Sequence, residues 1–237
     1  MLTLVTRPAT ASARTIARLE AMGHMVLADP MLLIRPRTAE FPADRFDALT
    51  FTSINGVQGF MAQSFMTHDG WPDLFALPVY TVGPRTAEEA LAAGFSTVID
   101  CDGDATALTT RMKQDLPPGT HVLYAAGENR AADLPAALEP DGITVRVAVV
   151  YAAEGTSALS PQTRTALVDG HIGCVLHFSR RTVVAFLRCV EAEGLGARLS
   201  GMRHLCLADQ VAGPLVQAGL TVEVAQAPNE DALFALL

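Results

Sequence analysis

The stretch Phe46–Phe60, with the sequence FDALTFTSINGVQGF, passes from a short apolar run directly into a segment with helical spacing. Later in the chain, Ile172–Phe186, with the sequence IGCVLHFSRRTVVAF, repeats this pattern, so that Ser53 corresponds to Ser179 at an offset of 126 residues. Each copy predicts a buried strand, a loop with hydroxyl groups and then a helix. Recurring strand–helix units are typical of parallel sheets that are covered by helices on both faces.

The repeat extends beyond this stretch and predicts the fold class. Val82–Gly94 aligns with Leu207–Gly219 at an offset of 125 residues, and Thr3–Val26 resembles Val122–Val145. The chain therefore has the order A-B-A′-B′, in which each unit is a βα or βαβ piece. We predict an α/β protein with parallel sheets, because strands and helices alternate along most of the sequence.

The four units can pack in two ways. Sequential packing pairs A with B and A′ with B′, whereas interleaved packing pairs A with B′ and B with A′. Pro30–Pro42 and Ala152–Pro161 are rich in proline, threonine or serine, as linkers are, and they bracket a middle segment the size of a small domain. This favours a discontinuous first domain, 1–34 plus 157–237, and a second domain, 38–150, with linkers at about 35–37 and 151–156. We expect a ligand site in the cleft between the domains, where pockets commonly form.

Composition excludes several classes of function. The chain has 237 residues and a net charge of −8, and half of its residues are hydrophobic, which predicts a folded protein and disfavours nucleic acid as a partner. Lys113 is the only lysine, and its neighbours fit neither a Walker loop nor a Schiff base. The four cysteines form no C-x-x-C pair and H-E-x-x-H does not occur, so we expect no metal site.

Location follows from what the sequence lacks. No apolar run approaches the ~20 residues of a membrane-spanning helix. Met1–Val5 is too short for the apolar core of a signal peptide, and scattered cysteines favour a reducing compartment. We therefore expect a cytoplasmic protein with no membrane contact. The missing signal peptide opposes a periplasmic-type solute-binding protein, and Gly194–Gly196, which follows a helix, fails as the glycine fingerprint of a dehydrogenase.

Candidate site residues lie in five loops, each of which follows a predicted strand. Taken singly, each loop is explained as well by an ordinary helix start. Together the loops lie at the carboxyl ends of parallel strands, where ligands bind in open α/β sheets. Backbone N–H groups and guanidinium groups at such ends suit an anionic small molecule. The candidates are Arg7, Ser53, Asn55, Gly83, Pro84, Arg85, Thr86, Gly127, Arg130, Ser179, Arg180, Arg181 and Thr182. Tyr151 is a further candidate, because it ends an apolar run beside the second linker. A tyrosine in this position can present its hydroxyl to a ligand or serve packing alone.

These residues resemble the uroporphyrinogen-III synthase family over nearly the whole chain. The resemblance rests on the order and spacing of several short motifs: Thr52-Ser-x-Asn-Gly-Val57, Val82-Gly-x-x-Thr-Ala87, Val122-Leu followed by Gly127 and Arg130, Val149-Val-Tyr151 and Ala227-Pro-Asn-x-x-Ala-Leu233. It implies two flavodoxin-like domains joined by a two-stranded linker. It also implies that hydroxymethylbilane, a linear tetrapyrrole, is closed to uroporphyrinogen III with loss of water and inversion of ring D, without a metal or cofactor.

The resemblance further implies roles for individual residues. Tyr151 matches the family's tyrosine, the candidate acid or orienting group for the leaving hydroxyl. Thr86 matches its second-domain threonine, and Ser53 and Ser179 match its strand-end hydroxyls. We expect a monomer that binds a small-molecule substrate and makes a transient contact with the preceding enzyme of the pathway.

The chain departs from the family in its first domain. Many members have Ser-Pro-Ser where this chain has Ser179-Arg-Arg181, and Gly-x-x-Thr-Ala where it has Ala208-Asp-Gln-Val-Ala212. Val211 has no hydroxyl to donate, and Asp209 adds negative charge near a polyanion. Our hypothesis is that Arg180 and Arg181 compensate by holding propionate or acetate groups. The departures leave one alternative open, a non-catalytic tetrapyrrole-binding or regulatory module of the same fold.

Overall fold

The described part of the chain alternates between strands and helices. The computed structural model describes residues 2–41, 45–63, 74–130 and 132–237. The strands are β1 (Leu2–Val5), β2 (Met25–Ala28), β3 (Leu32–Pro36), β4 (Ala48–Phe51), β5 (Pro78–Thr81), β6 (Thr97–Asp100), β7 (His121–Gly127), β8 (Thr144–Gly155), β9 (Ile172–His177), β10 (Arg203–Cys206) and β11 (Val222–Val224). The helices are α1 (Ala9–Ala21), α2 (Ile54–Met61), α3 (Pro84–Ala92), α4 (Ala105–Asp115), α5 (Leu134–Leu138), α6 (Pro161–Val168), α7 (Arg180–Ala192), α8 (Asp209–Gln217) and α9 (Glu230–Phe234). No helix in these ranges is long and apolar enough to cross a bilayer.

The elements divide into two compact units that are interleaved along the chain. Unit 1 consists of Met1–Leu33 and Glu154–Leu237, and unit 2 consists of Ile34–Ala153. The predicted domain limits, 1–34 plus 157–237 and 38–150, differ from these limits by at most four residues. The chain crosses between the units within β3 and again within β8, which are neighbouring strands of one sheet. The two-stranded linker is therefore made of sheet strands, despite the proline and threonine around it.

Unit 1 is built on a five-stranded parallel sheet with the order β11-β10-β9-β1-β2. Successive residues of a strand point to opposite faces, so β1, an interior strand of the sheet, contributes to two cores. Leu4 packs with Val175 and Phe186 on one face, and Val5 packs with Phe234 on the other. Both faces are buried, which explains why the central strands are largely apolar and lack clear alternation.

Unit 2 is built on a six-stranded sheet with the order β3-β8-β7-β4-β5-β6, in which the strands from β8 to β6 pair in parallel. Phe51, Phe60 and Phe95 pack together on one face, and Tyr80 packs with Leu108 on the other. Because β4, β7 and β8 are neighbours and run in the same direction, the segments at their carboxyl ends meet at one edge of the sheet.

The internal repeat is visible in the packing of the two units. The rings of Phe51 and Phe60 in unit 2 are 5.6 Å apart between centroids. At the same offset of 126 residues, the rings of His177 and Phe186 in unit 1 are 5.8 Å apart. The strand and the helix of each copy therefore pack through corresponding ring positions, although one copy has replaced a phenylalanine with a histidine.

Candidate active site

The loop after β4 places two hydroxyl side chains, Thr52 and Ser53, at the carboxyl edge of the unit 2 sheet. Ser53 has an extended backbone and is the N-cap of α2, where the Gly56 N–H donates to Ser53 Oγ over 3.1 Å. The cap satisfies an N–H that the helix itself leaves unpaired. Glycine is needed at position 56, because a Cβ there would lie 2.8 Å from the carbonyl oxygen of Ala125. Close packing of α2 on β7 thus holds Ser53 in place.

The Ser53 hydroxyl also meets the phenol of Tyr151, with 3.0 Å between the two oxygens. Tyr151 lies on β8 and pairs in register with Gly127 of β7. A Cβ at position 127 would lie 2.6 Å from Tyr151 Cζ and 2.9 Å from its hydroxyl oxygen. Glycine at this position therefore leaves the space that the tyrosine ring occupies, and the ring brings its hydroxyl to Ser53.

A second tyrosine, Tyr124, contacts Thr52, the residue that precedes Ser53 in the loop after β4. The hydroxyl oxygen of Tyr124, on β7, is 2.8 Å from Thr52 Oγ1. The Tyr124 ring belongs to the unit 2 core and only 3% of the residue is exposed. Burial raises the pKa of Tyr124, although its hydrogen bond with Thr52 and the positive charge of Arg130 act in the opposite direction. Tyr124 therefore keeps its proton through the neutral pH range.

The hydroxyl groups line one cavity of about 340 Å³, formed by residues of unit 2. Four of the predicted site residues line it: Ser53, Gly127, Arg130 and Tyr151. Sequence reasoning did not select the other lining residues, which are Thr52, Val82, Gly103, Asp104, Ala105, Tyr124, Asn129, Ala132 and Leu134. Thr52 belongs to the motif Thr52-Ser-x-Asn-Gly-Val57 and could have been predicted. Tyr124 lies within an apolar strand, where no local pattern indicates a site residue.

The cavity has one cationic and one anionic lining side chain, Arg130 and Asp104. Arg130 is exposed and makes no salt bridge with any residue that the structure describes. Asp104 is the N-cap of α4, and its Oδ1 accepts from the N–H groups of Thr106 (2.8 Å) and Ala107 (3.1 Å). These backbone hydrogen bonds lower the pKa of Asp104, so it is ionised at neutral pH. Across the described ranges, no group of three or more His, Cys, Asp or Glu side chains is arranged to hold a metal ion.

The remaining candidates of unit 2 lie around the starts of two helices and do not line this cavity. Gly83 is the N-cap of α3 and Pro84 is its first residue, which matches the fixed φ angle of proline. Thr86 is buried in the first turn, whereas Arg85 is exposed. Asn55 is half-buried in the first turn of α2, and its Oδ1 has no hydrogen-bond partner among the described residues.

The predicted site residues around α7 lie in unit 1. Ser179 is the N-cap of α7, and its Oγ accepts from the Thr182 N–H over 3.2 Å. The Thr182 hydroxyl donates to the Ser179 carbonyl oxygen over 2.8 Å, so both hydroxyl groups serve the helix start. Arg180 and Arg181 are exposed on the first turn. This loop thus presents two guanidinium groups at the surface of unit 1.

Arg7, also in unit 1, is held by other parts of that unit. Its guanidinium forms an ion pair with Glu230 of α9, donates to Thr15 Oγ1 over 2.8 Å, and stacks on the Phe178 ring at 4.3 Å from the centroid. An arginine stacked and paired in this way fixes the loop after β1 against the C-terminal helix. The residue that sequence reasoning selected as a substrate ligand thus has a structural carboxylate partner.

A comparison with known proteins assigns the chain to a family. The sequence model of uroporphyrinogen-III synthase HemD matches residues 13–235. The chain belongs to the uroporphyrinogen-III synthase family. A uroporphyrinogen-III synthase of Synechococcus elongatus is 27% identical over 212 residues, which cover 84% of this chain and 79% of that protein.

Two solved structures of uroporphyrinogen-III synthases share the fold. The enzyme of Helicobacter pylori aligns with a TM-score of 0.66 at 19% identity, over 100% of this chain and 98% of that chain. A mutant of the Thermus thermophilus enzyme aligns with a TM-score of 0.52 at 16% identity, over 100% and 96% of the two chains. The two-domain α/β architecture inferred from the internal repeat is therefore that of this family.

The structure also shows the surroundings of Val211 and Asp209, where the resemblance leads us to expect a different loop. Val211 is buried and packs with Val183 and Leu215 between α7 and α8. A valine here extends the apolar contact of the two helices, so the side chain at this position serves packing. Asp209 is exposed in the first turn of α8, where a carboxylate interacts favourably with the helix dipole.

Proposed function

We propose that this uroporphyrinogen-III synthase cyclises hydroxymethylbilane at the unit 2 cavity, with Tyr151 as the acid. The reaction closes the linear tetrapyrrole, releases its terminal hydroxyl group as water and inverts ring D. The observation that carries the proposal is the 3.0 Å contact between Tyr151 Oη and Ser53 Oγ in a cavity that Arg130 also lines.

The hydrogen bonds of Ser53 leave the hydroxyl hydrogen of Tyr151 free to be donated to the substrate. The Ser53–Tyr151 pair contains two hydroxyl hydrogens, and their mutual bond uses one of them. Because the Gly56 N–H donates to Ser53 Oγ, the serine can direct its own hydrogen to Tyr151. The tyrosine proton then passes to the leaving hydroxyl, giving water, while Ser53 stabilises the phenolate. Ring closure removes a proton from the substrate, which restores the phenol.

Binding and orientation supply the rest of the catalysis. Holding two reacting ends in a productive geometry contributes ~7–11 kcal/mol in favourable cases. Arg130 suits one substrate carboxylate, because a guanidinium binds a carboxylate through two parallel hydrogen bonds. We assign further substrate contacts to the other predicted loop residues, which are Arg7, Asn55, Gly83, Pro84, Arg85, Thr86, Ser179, Arg180, Arg181 and Thr182.

A product assay tests the activity itself. Freshly generated hydroxymethylbilane is incubated with increasing amounts of protein, and the oxidised products are separated into type I and type III isomers. We expect type III product that rises with protein concentration. Formation of the spontaneous type I ring alone would contradict the proposal and would favour a non-catalytic tetrapyrrole-binding module.

Tyr151→Phe tests the acid. Removing a positioned proton donor lowers kcat by roughly a hundredfold or more, whereas a packing role would leave turnover near that of the wild type. Tyr80→Phe is the matched control, because Tyr80 is also a core tyrosine of unit 2 with a hydrogen-bonded hydroxyl, 3.3 Å from Asp115, but it does not line the cavity.

The double variant Arg180→Ala/Arg181→Ala tests the substrate contacts assigned to unit 1. We expect a higher KM, because each exposed guanidinium removed takes away a partner for a substrate carboxylate. Saturation kinetics identical to those of the wild type would remove both arginines from the site.

We also propose a cytoplasmic monomer that contacts the preceding pathway enzyme only transiently. The cysteines are free thiols, and Cys174, Cys189 and Cys206 are buried, which suits a reducing compartment. A net charge of −8 opposes self-association. Sedimentation equilibrium, alone and with the preceding enzyme, would test both statements about association; a stable dimer would contradict the first.

A further inference from the structure

We propose that Tyr124 is a positioning residue for substrate binding: it orients the Thr52 hydroxyl, which donates a hydrogen bond to one carboxylate of the bilane. The inference rests on the function proposed above and assigns a second hydroxyl pair to the same cavity. Its starting observation is that the consecutive residues Thr52 and Ser53 each hold the hydroxyl of a different tyrosine, at 2.8 Å and 3.0 Å.

Burial decides which member of the pair faces a ligand. Tyr124 is 3% exposed and its ring packs in the unit 2 core, whereas Thr52 is half-buried and lines the cavity. The pair contains two hydroxyl hydrogens, and the bond between them uses one. When Tyr124 donates to Thr52, the hydrogen of Thr52 is left to point into the cavity.

The two tyrosines therefore have different roles. Desolvation raises the pKa of Tyr124, so this residue keeps its proton, can donate it in the hydrogen bond to Thr52 and is a poor source of a transferable proton. Tyr151 is half-buried and is backed by Ser53, which itself accepts from a backbone N–H. One pair can thus move a proton while the other holds the substrate still.

A carboxylate is the group that this part of the cavity recognises. Thr52 presents a donor, and Arg130 lines the same cavity. Two donors in one cavity, one of them cationic, favour an anionic acceptor over a pyrrole N–H, which is itself a donor. Asp104, the anionic lining residue, has its Oδ1 occupied by two backbone N–H groups of α4.

The experiment compares Tyr124→Phe, Thr52→Val and their double variant with Tyr80→Phe in the type III product assay. Loss of one hydrogen bond to a charged group should raise KM roughly tenfold in each single variant. We expect kcat to stay within about twofold of the wild type, because the acid is untouched. The double variant should be no worse than the poorer single variant, since both remove the same interaction. Thr52→Ser should restore most of the binding, and Tyr80→Phe should leave KM unchanged.

Several outcomes would overturn the inference. A wild-type KM in Tyr124→Phe, a KM change of equal size in Tyr80→Phe, or additive effects in the double variant would each contradict it. Phenylalanine keeps the Tyr124 ring, and thermal unfolding of each variant separates a loss of binding from a loss of folding. A wild-type protein that forms no type III product would instead contradict the proposed function itself, so the two failures are distinguishable.

Discussion

Ser53 and Ser179, the corresponding N-cap residues of α2 and α7, use their hydroxyl groups differently. In unit 2, Ser53 accepts from the Gly56 N–H and its hydroxyl meets Tyr151. In unit 1, Ser179 accepts from the Thr182 N–H and its hydroxyl meets the Thr182 side chain at 3.0 Å. Positions 56 and 182 correspond in the repeat. With glycine at position 56, the Ser53 hydroxyl is free to contact Tyr151, so we call this the open cap. With threonine at position 182, the Ser179 hydroxyl contacts a side chain of its own helix, so we call this the closed cap.

The cores of the two units differ at another corresponding pair. Unit 2 has Phe51 and Val79 where unit 1 has His177 and His204. The two histidines are linked by a 3.2 Å contact between His177 Nε2 and His204 Nδ1, and His204 Nε2 lies 3.0 Å from the Leu199 carbonyl oxygen. Because that carbonyl can only accept, His204 Nε2 carries the hydrogen and His177 Nε2 donates to His204 Nδ1. Both imidazoles are neutral, so unit 1 has an acid-sensitive pair at core positions where unit 2 has Phe51 and Val79.

The largest expected effect is a loss of stability of unit 1 at acid pH. Burial and the nearby His204 lower the pKa of His177 to about 3, and burial lowers the pKa of His204. Below pH ~6.5 the unfolded chain binds protons at these histidines, whereas the folded protein does not until the pH is much lower. The free energy of unfolding therefore falls as the pH drops below ~6.5. At about 1.4 kcal/mol per pH unit, His177 alone accounts for a loss of roughly 2–3 kcal/mol by pH 4.5.

His177→Phe/His204→Val, which copies the unit 2 pair, tests this difference. Urea unfolding between pH 7 and pH 4.5 should show a flatter pH dependence in the double variant than in the wild type. Phe51→Leu in unit 2 is the control for a core change without a titrating group, and it should leave the slope unaltered. Equal slopes in the wild type and the double variant would mean that the histidine pair is not what makes unit 1 acid-sensitive.

The next effect concerns the open cap of unit 2. In Gly56→Ala the new Cβ would lie 2.8 Å from the backbone oxygen of Ala125, so strand or helix must shift. Overpacking of this kind destabilises by about 1–3 kcal/mol, and the shift also moves Ser53. Gly196→Ala in unit 1, where nothing lies within 4 Å of the added Cβ, should stay within about 0.5 kcal/mol of the wild type. Unfolding midpoints of the two variants measure the difference; similar midpoints would count against the tight contact.

Removing each serine separates capping from catalysis. Ser53→Ala and Ser179→Ala should each lose about 1 kcal/mol of stability, because each removes one N-cap. Only Ser53→Ala also withdraws the partner of Tyr151, so we expect a fall in kcat of roughly tenfold or more in that variant alone. Thermal unfolding and type III product formation measure the two quantities. Equal falls in kcat would show that the closed cap of unit 1 takes part in the chemistry as well.

The smallest effect is expected at the last helix of each repeat. α4 and α9 begin after corresponding N-caps, Asp104 and Asn229, but α9 is short and is tied to unit 1 by ion pairs of Glu230 with Arg7 and Arg18. Burial alone would raise the pKa of Glu230, yet the hydrogen bond from Thr15 and these two arginines outweigh it and lower the pKa. The carboxylate thus stabilises the fold above its unfolded pKa of ~4.3, and this contribution is lost at lower pH.

Glu230→Gln should therefore destabilise by at most about 1 kcal/mol at pH 7 and by less at pH 3.5, since partly exposed ion pairs contribute little. Denaturant unfolding at the two pH values, with Glu191→Gln on the exposed end of α7 as the control, measures the change. If Glu230→Gln lost more stability at pH 3.5 than at pH 7, the negative charge of Glu230 could not be the cause of the loss.

The part of the cavity lining that the sequence predicted is encoded locally. Ser53 is preferred at a helix start, and Gly127 and Arg130 follow an apolar strand, so their types and spacing indicate a loop at a sheet edge. Tyr124 was not predictable, since within an apolar strand a tyrosine is more often a core residue. The ion pair of Arg7 was not predictable either: its loop indicated a ligand contact, which stays a prediction, whereas its partner Glu230 lies 223 residues further along the chain.

Local patterns thus established the α/β class and the order of the repeat, because hydrophobic period and helix caps act over a few residues. Which side chains meet across strands was set by the fold. Tyr151 reaches Ser53 over 98 residues of chain because β8 pairs with β7 and position 127 has no side chain. Distances of that kind depend on sheet order and close packing, which no short stretch of sequence contains.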